Sequence, residues 1–533
     1  MTEGEQIRAF ERDVLDEHHK SFLFYQYSDD IVIPYLLQTY GDTERHRDNL
    51  VRNGHNATSL SFYLNNMLHG LGHCIRWMIN KGGTGIKDAS GNTYLQIHEM
   101  AADFLGWGTG YHMIAQEFVT WSRGIKRANM NEEKKTITFT NPEGYEYSKI
   151  YGGQLLYAKR IADSFDSYPH EEMEEEFIKW FQEIDFTKPP IANHIKWQQG
   201  RSSASYPMLY LKMKDILFPE LDETTEFQGY NLQQIRQFYA LVFLNFHFIR
   251  WVEAVLDSRA GNNNLFFGSN PLELSQQQFE KFVSNITGLA MDVSRAIIAD
   301  LTFDPFSFHT SVSIQPFIRS FSGHYYILPN LFAQLEPSRM ILGALNKGVK
   351  KNVYDTLINT IEKVNLGLVY DTAKGLEGSI CYLEKQIKNN GQTISPDLIL
   401  IDPSDKFLLV ADYKHFIGPI TASEVDYKMK ELEKGISQVT KYIEHLSQLS
   451  MVDLLCIQDF SIVGLLITHK LLPVPIPKGK SVPIFDLESF IEDINQVIQG
   501  NQRLRDLAQK IHTAFTKKPN IEFKDFQCYQ EVS

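Results

Sequence analysis

Cysteine is scarce. Four occur in 533 residues (Cys74, Cys381, Cys456 and Cys528), each more than seventy positions from the next and none in a CxxC pair. This spacing excludes a disulfide framework and a zinc ribbon, and it leads us to expect a reduced, cytoplasmic protein. Long apolar runs are also missing. The most apolar stretch, Phe238 to Leu256, is broken by Asn245, His247, Arg250 and Glu253, so it reads as a buried helix and no membrane contact is expected. The opening Met1-Thr2-Glu3-Gly4-Glu5-Gln6 has no basic stretch leading into an apolar core, and no secretory signal is expected.

Several catalytic signatures are absent too. There is no Walker-type glycine loop for phosphates, no GxSxG, no internal repeat and no low-complexity segment. His69-Gly70-Leu71-Gly72-His73 has the i, i+4 spacing of helix-borne metal ligands. It lacks the intervening Glu of a zinc-protease helix, however, and two glycines weaken the helix. His98-Glu99 has no second His. Both are read as core or surface histidines.

A net charge of −13 argues against a general polyanion binder, but the charge is uneven. Residues 341–533 hold 22 Lys and Arg against 24 Asp and Glu, and residues 1–340 hold 30 against 41. The acidity therefore belongs mostly to the N-terminal part. Global charge governs solubility and steering, and it leaves a local cleft unconstrained. A hydrophobic content of 43% and an aromatic content of 12%, beside 22% charged residues, describe a folded globular chain long enough for several domains.

The pattern along the chain predicts a multidomain protein with a mainly helical region over 1–340, with a candidate division into two subdomains near 150–200, and an α/β domain over 341–533. In the first part, Leu60, Leu64, Met67, Leu68 and Leu71 recur at helical spacing, and Met100 to Phe118 continues that character. Thr136 to Thr140 alternates as a strand before a turn at Asn141-Pro142-Glu143-Gly144 and Tyr145 to Tyr147. Glu171 to Ile184 reads as an acidic helix, and Ile314 to Phe317 and Tyr325 to Leu328 read as strands. In the second part a helix is expected near 345–363. Ile380–Lys388 and Thr393–Ile401 form a hairpin about Asn389-Asn390-Gly391, and Phe407 to Asp412 is a short strand. Val425, Met429, Leu432, Ile436, Val439, Ile443 and Leu446 mark an amphipathic helix over 424–449, and Ile462 to Ile467 is a buried strand. Helix, strands, helix, strand around one mixed sheet is an α/β sandwich.

Chemistry concentrates on that second part. Asp397 opens one strand, and Asp412 and Lys414 close the next. In an antiparallel pair with a short turn, the start of one strand lies beside the end of its neighbour, so the two carboxylates should meet. Alternation puts Asp412 and Lys414 on one face and Tyr413 on the other. Two carboxylates suit a hard cation such as Mg²⁺, which polarises a phosphate, while an ammonium orients water and stabilises developing charge.

Pro396-Asp397, then Asp412-Tyr413-Lys414 after fourteen residues, resembles the PD-(D/E)XK nuclease superfamily. Gln438-Val439-Thr440-Lys441-Tyr442 on the following helix is similar to the QxxxY motif of its RecB-like branch, and residues four apart share a helix face. The resemblance covers about 125 residues, and residues 1–340 resemble nothing we can name. It implies a Mg²⁺-dependent phosphodiesterase in which Mn²⁺ can substitute. Metal would be held by Asp397, Asp412, the Tyr413 carbonyl and an acid from the first core helix. Lys414 would position water, with Gln438 and Tyr442 supporting the site. For the helix acid, Glu377 follows the family habit of a preceding glycine (Lys374-Gly375-Leu376-Glu377) and would require a helix over 376–388. Glu362 and Glu384 are the alternatives.

The implied substrate is nucleic acid, DNA favoured over RNA. The N-terminal region would serve substrate selection, a protein partner or homo-oligomerisation. By analogy with nucleases fused to private sensor regions, an effector role in prokaryotic anti-phage or restriction systems is expected. The competing expectations are a catalytically inactive subunit that binds nucleic acid or protein through a nuclease-like fold, and an auxiliary subunit of a larger machine. Lys428, Lys430, Lys434 and Lys441 could meet phosphates, but Glu431, Glu433 and Glu444 balance them.

Overall fold

The computed structural model describes residues 2–52, 57–122, 126–131, 136–140, 170–181, 203–259, 271–307, 311–334, 336–346, 350–389, 391–416, 422–452, 455–469, 482–500, 503–507 and 509. The chain divides into two compact units, residues 1–360 with 419–425, and residues 361–418 with 426–533. No single helix among the described residues is long and apolar enough to cross a membrane.

The first unit is mainly helical. The helices Ala57–Asn80 and Tyr94–Ser122 cross at glycines. A Cβ on Gly70 would stand 2.6 Å from Thr109 Cα, and one on Gly108 would stand 2.7 Å from the Gly70 carbonyl oxygen. Only two glycines allow the backbones this close. Helix Leu232–Arg259 buries Phe238, Tyr239, Phe246 and Phe248, as expected of a helix apolar on all sides. A three-stranded antiparallel sheet places His324–Ile327 between Leu272–Ser275 and Ile318–Arg319. The strand expected at 314–317 is therefore shifted to 318–319. Thr136–Thr140 pairs with Arg127–Asn131, so its partner lies upstream rather than beyond the expected turn. That turn, Tyr145 to Tyr147 and most of the 150–200 division lie outside the described residues. The acidic helix runs His170–Phe181.

The second unit carries the candidate site. Its elements are α1 (Lys351–Ala373, entering from residue 361), β1 (Ile380–Leu383), β2 (Leu398–Asp402), β3 (Phe407–Lys414), α2 (Ala422–Ser447), β4 (Ser461–Thr468), β5 (Ile484–Asp486) and α3 (Leu487–Gln499). The division thus falls inside α1, some twenty residues beyond the expected boundary at 340. One five-stranded mixed sheet runs β5-β4-β3-β2-β1. β1, β2 and β3 are antiparallel neighbours, whereas β3, β4 and β5 are parallel. The expected hairpin is split. Ile380–Leu383 joins the sheet, while Ile387–Asn389 pairs with Gln392–Ile394 in a small ribbon around Gly391, whose φ of +80° suits glycine.

Alternation along β2 and β3 sorts the core into two layers. Leu398, Leu400, Leu409, Ala411 and Tyr413 pack with Leu366, Val369 and Ala373 of α1 and with Phe490, Ile494 and Val497 of α3. Ile399, Ile401, Leu408 and Val410 pack with Tyr442 and Leu446 of α2. α2 also approaches β4 closely. A Cβ on Gly464 would lie 2.6 Å from Ile443 Cδ1, and a Cβ on Gly435 2.9 Å from Leu466 Cδ1. Two glycines on facing elements let helix and strand touch.

Candidate active site

β3 is buried along nearly its whole length, and its last residues, Asp412-Tyr413-Lys414, run past the point where β2 stops pairing. The β2–β3 ladder ends at Ala411 opposite Leu398. The Tyr413 amide therefore has no β2 partner and donates to Asp397 Oδ2 at 2.7 Å. That bond joins the two halves of the motif: the residue opening β2 holds the strand end that presents Asp412 and Lys414.

Asp412 is 1% exposed. Lys414 Nζ stands 2.8 Å from its Oδ2, a charge-assisted contact. Burial pushes the Asp397 carboxyl above its usual range, and the Asp412 charge adds to the shift. Burial raises Asp412 as well, against the pull of Lys414. The two titrate as a pair. Burial alone would lower the Lys414 ammonium, but Asp412, Asp397 and Glu362 together raise it.

The acid from α1 is placed by the structure. Glu362 is half-buried, its Oε1 accepts the His415 amide at 3.3 Å, and its charge acts on Asp412, Asp397 and Lys414. Burial raises its carboxyl too. Glu377 lies elsewhere. No helix covers 376–388, and Glu377 is exposed on the turn between α1 and β1. The expectation that it completes the site is corrected here, because α1 continues to Ala373 and carries the earlier glutamate to the strand ends. Glu384 is exposed just after β1 with φ +49°, its amide donating to the Asp397 carbonyl at 2.9 Å. Its backbone, not its carboxylate, serves the loop that presents Asp397.

The two residues of the helical motif come together. Gln438 Nε2 donates to the Tyr442 hydroxyl at 2.9 Å, and that hydroxyl in turn donates to the Ser395 carbonyl at 3.4 Å. Burial first, then the charges of Asp412 and Asp397, push the Tyr442 phenol far up, so it stays protonated beside the carboxylates. For Tyr413, nothing beyond its place between Asp412 and Lys414 marks its carbonyl as a ligand.

Three residues escaped the reading of the sequence: Asn365, His415 and His469. Asn365 Nδ2 donates to the Tyr413 hydroxyl at 3.0 Å and lies 3.2 Å from His469 Nδ1, which is also 3.2 Å from the Tyr413 hydroxyl. The His415 and His469 rings lie 4.5 Å apart. The usable signals were faint: an Asn three residues after a Glu, and a His just beyond each of two strands.

Among the described residues, no three or more His, Cys, Asp or Glu side chains form a ready-made metal cluster. The carboxylates are instead engaged by internal donors, the Tyr413 amide, the His415 amide and the Lys414 ammonium. The donor chemistry still suits a hard cation: the groups are carboxylate oxygens, and the charges of Asp397, Asp412 and Glu362 disfavour one another. His69 and His73 lie in the first unit's core. His69 stacks on His112 at 4.6 Å, and burial lowers His69 and His73 to about 3 and His112 to about 2. Cys74, Cys381 and Cys456 are free thiols.

Comparisons of the chain with protein-family models, with curated proteins and with solved structures found no match.

Proposed function

We propose that the second unit is a metal-dependent nuclease of the PD-(D/E)XK kind, hydrolysing phosphodiester bonds of nucleic acid, with DNA favoured over RNA. The observation that carries the reading is the bond from the Tyr413 amide to Asp397 at 2.7 Å. It seats the carboxylate just before β2 and the one near the end of β3 beside one lysine at one end of a mixed sheet. Asp397 and Asp412 would hold Mg²⁺ or Mn²⁺, with Glu362 as the third carboxylate. When bound, the ion supplies charge that offsets these acids and polarises the phosphate.

The remaining work falls to the chain's own groups. Raised by its acidic neighbours, Lys414 keeps its proton at neutral pH. It therefore acts as a donor that orients water and meets charge developing on the phosphate, not as a base. The protonated Tyr442 hydroxyl, held by Gln438, closes the α2 side of the site.

The test is incubation of the full chain with linear, circular and single-stranded DNA and with RNA, in Mg²⁺, Mn²⁺ or EDTA. Cleavage should need the metal, and Asp412→Ala and Lys414→Ala should each lose about 100-fold or more. If wild type and both variants leave every substrate intact, or cut equally, the proposal is refuted in favour of a binding role.

A further inference from the structure

The side chain of Tyr413 points away from Asp412 and Lys414, into the layer that α1 covers. There its hydroxyl, Asn365 Nδ2 and His469 Nδ1 form a closed triangle with sides of 3.0, 3.2 and 3.2 Å. Asn365 is 3% exposed and Tyr413 2%. Each corner comes from a different element. Asn365 lies on α1, Tyr413 at the end of β3, and His469 just beyond β4, where its amide continues the ladder by donating to the Lys414 carbonyl at 3.0 Å.

The rest of α1 meets the sheet through Leu366, Val369 and Ala373. Such contacts drive burial but are non-directional, so they fix the roll of a helix less sharply than hydrogen bonds do. A satisfied polar network in the interior is directional and penalises every other arrangement. Glu362 lies three residues before Asn365, on nearly the same side of the helix. With side chains reaching about 5–6 Å from the axis, a roll of about 20° moves a side-chain end by about 2 Å. That is enough to carry the Glu362 carboxylate off the His415 amide and away from the aspartates.

We infer that Asn365 and His469 are positioning residues for the metal site: with the Tyr413 hydroxyl they set the roll of α1 and so deliver Glu362 to Asp397 and Asp412. This rests on the metal-dependent reading above, and the test keeps the two apart. The probe is Mn²⁺ alone, its binding to the full chain followed by electron paramagnetic resonance and titration calorimetry, with cleavage measured in parallel. Asn365→Leu and His469→Leu should weaken Mn²⁺ binding about 10-fold or more. They should raise the Mn²⁺ needed for half-maximal cleavage by the same factor, with the rate at saturating Mn²⁺ changed far less. Tyr413→Phe removes one hydroxyl without changing volume and should show the same split, which guards against a variant that merely misfolds. His469→Gln, which restores a polar partner, should recover most of the affinity. Adding Glu362→Gln to Asn365→Leu should cost little more, because both act on one carboxylate.

The inference is overturned if Asn365→Leu, His469→Leu and Tyr413→Phe all bind Mn²⁺ as wild type does, or if the Asn365 and Glu362 effects add in full. A wild type that binds Mn²⁺ and cleaves nothing, with weakened variants, sinks the nuclease reading and leaves the positioning role standing. A wild type that binds no Mn²⁺ overturns both.

Discussion

Gly464→Ala offers a test of the packing that seats α2, and with it Gln438 and Tyr442. The new Cβ would lie 2.6 Å from Ile443 Cδ1 and against Val439 Cγ1 as well. Carbon atoms rest at about 3.5–4.0 Å, so at least about 1 Å must be found. Ile443 can swing its terminal methyl aside. Val439 cannot, because a β-branched side chain in a helix has essentially one rotamer, so α2 itself must lift from β4. Overpacking of this kind costs about 1–3 kcal/mol. Gly367→Ala on α1 is the control. Nothing lies within 4 Å of its added Cβ, and replacing a mid-helix glycine should stabilise by about 0.5–1 kcal/mol. Because the chain has two units, a single melting temperature would mix their responses. The assay is hydrogen exchange read on peptides from 426–447 and 461–468. Protection should fall in Gly464→Ala and rise or hold in Gly367→Ala, and cleavage should fall with the first alone. Unchanged protection in both peptides of Gly464→Ala would refute the argument that contact with Val439 holds α2 in place.

Three further outcomes are expected. Tyr442→Phe keeps the ring in its core and deletes the hydroxyl between Gln438 and Ser395; chemical denaturation should show a loss of about 1 kcal/mol, and cleavage should drop about 10-fold, an effect absent if the hydroxyl plays no part in the site. The first unit should weaken in acid: His69 and His73 fall to about 3 and His112 to about 2 on burial, so the unfolded chain binds more protons below about pH 6.5. Stability is then lost as pH falls from that value toward 3, and His112→Phe should flatten the loss in urea titrations at pH 7, 6, 5 and 4, whereas an unchanged slope would speak against a buried neutral His112. Gly108→Leu should disrupt the crossing of Ala57–Asn80 with Tyr94–Ser122, since even a Cβ there would meet the Gly70 carbonyl oxygen at 2.7 Å; hydrogen exchange read on peptides from 57–80 and 94–122 should show a loss of about 3 kcal/mol or more of protection, or the variant should fail to fold, and protection equal to wild type would rule the close crossing out.

What the sequence by itself determined is local. The helical spacing of Val425 through Leu446 marks α2, the apolar runs mark β2, β3 and β4, and the strand period alone separates Asp412 and Lys414 from Tyr413. Burial is written into such periods, so they can be read without a fold. The meeting of Asp397 with the end of β3 was also within reach, because a short turn leaves antiparallel neighbours little choice of register. Tertiary structure decided the rest. Whether Glu362 or Glu377 faces the aspartates depends on how far α1 runs and how it is rolled, and both follow from packing on a sheet whose strands come from distant sequence. The Asn365–Tyr413–His469 triangle spans 104 positions between Asn365 and His469, and no local period announces a polar contact made across three elements. A glycine such as Gly464 reads as a weak point in a strand until the helix that needs the space is known.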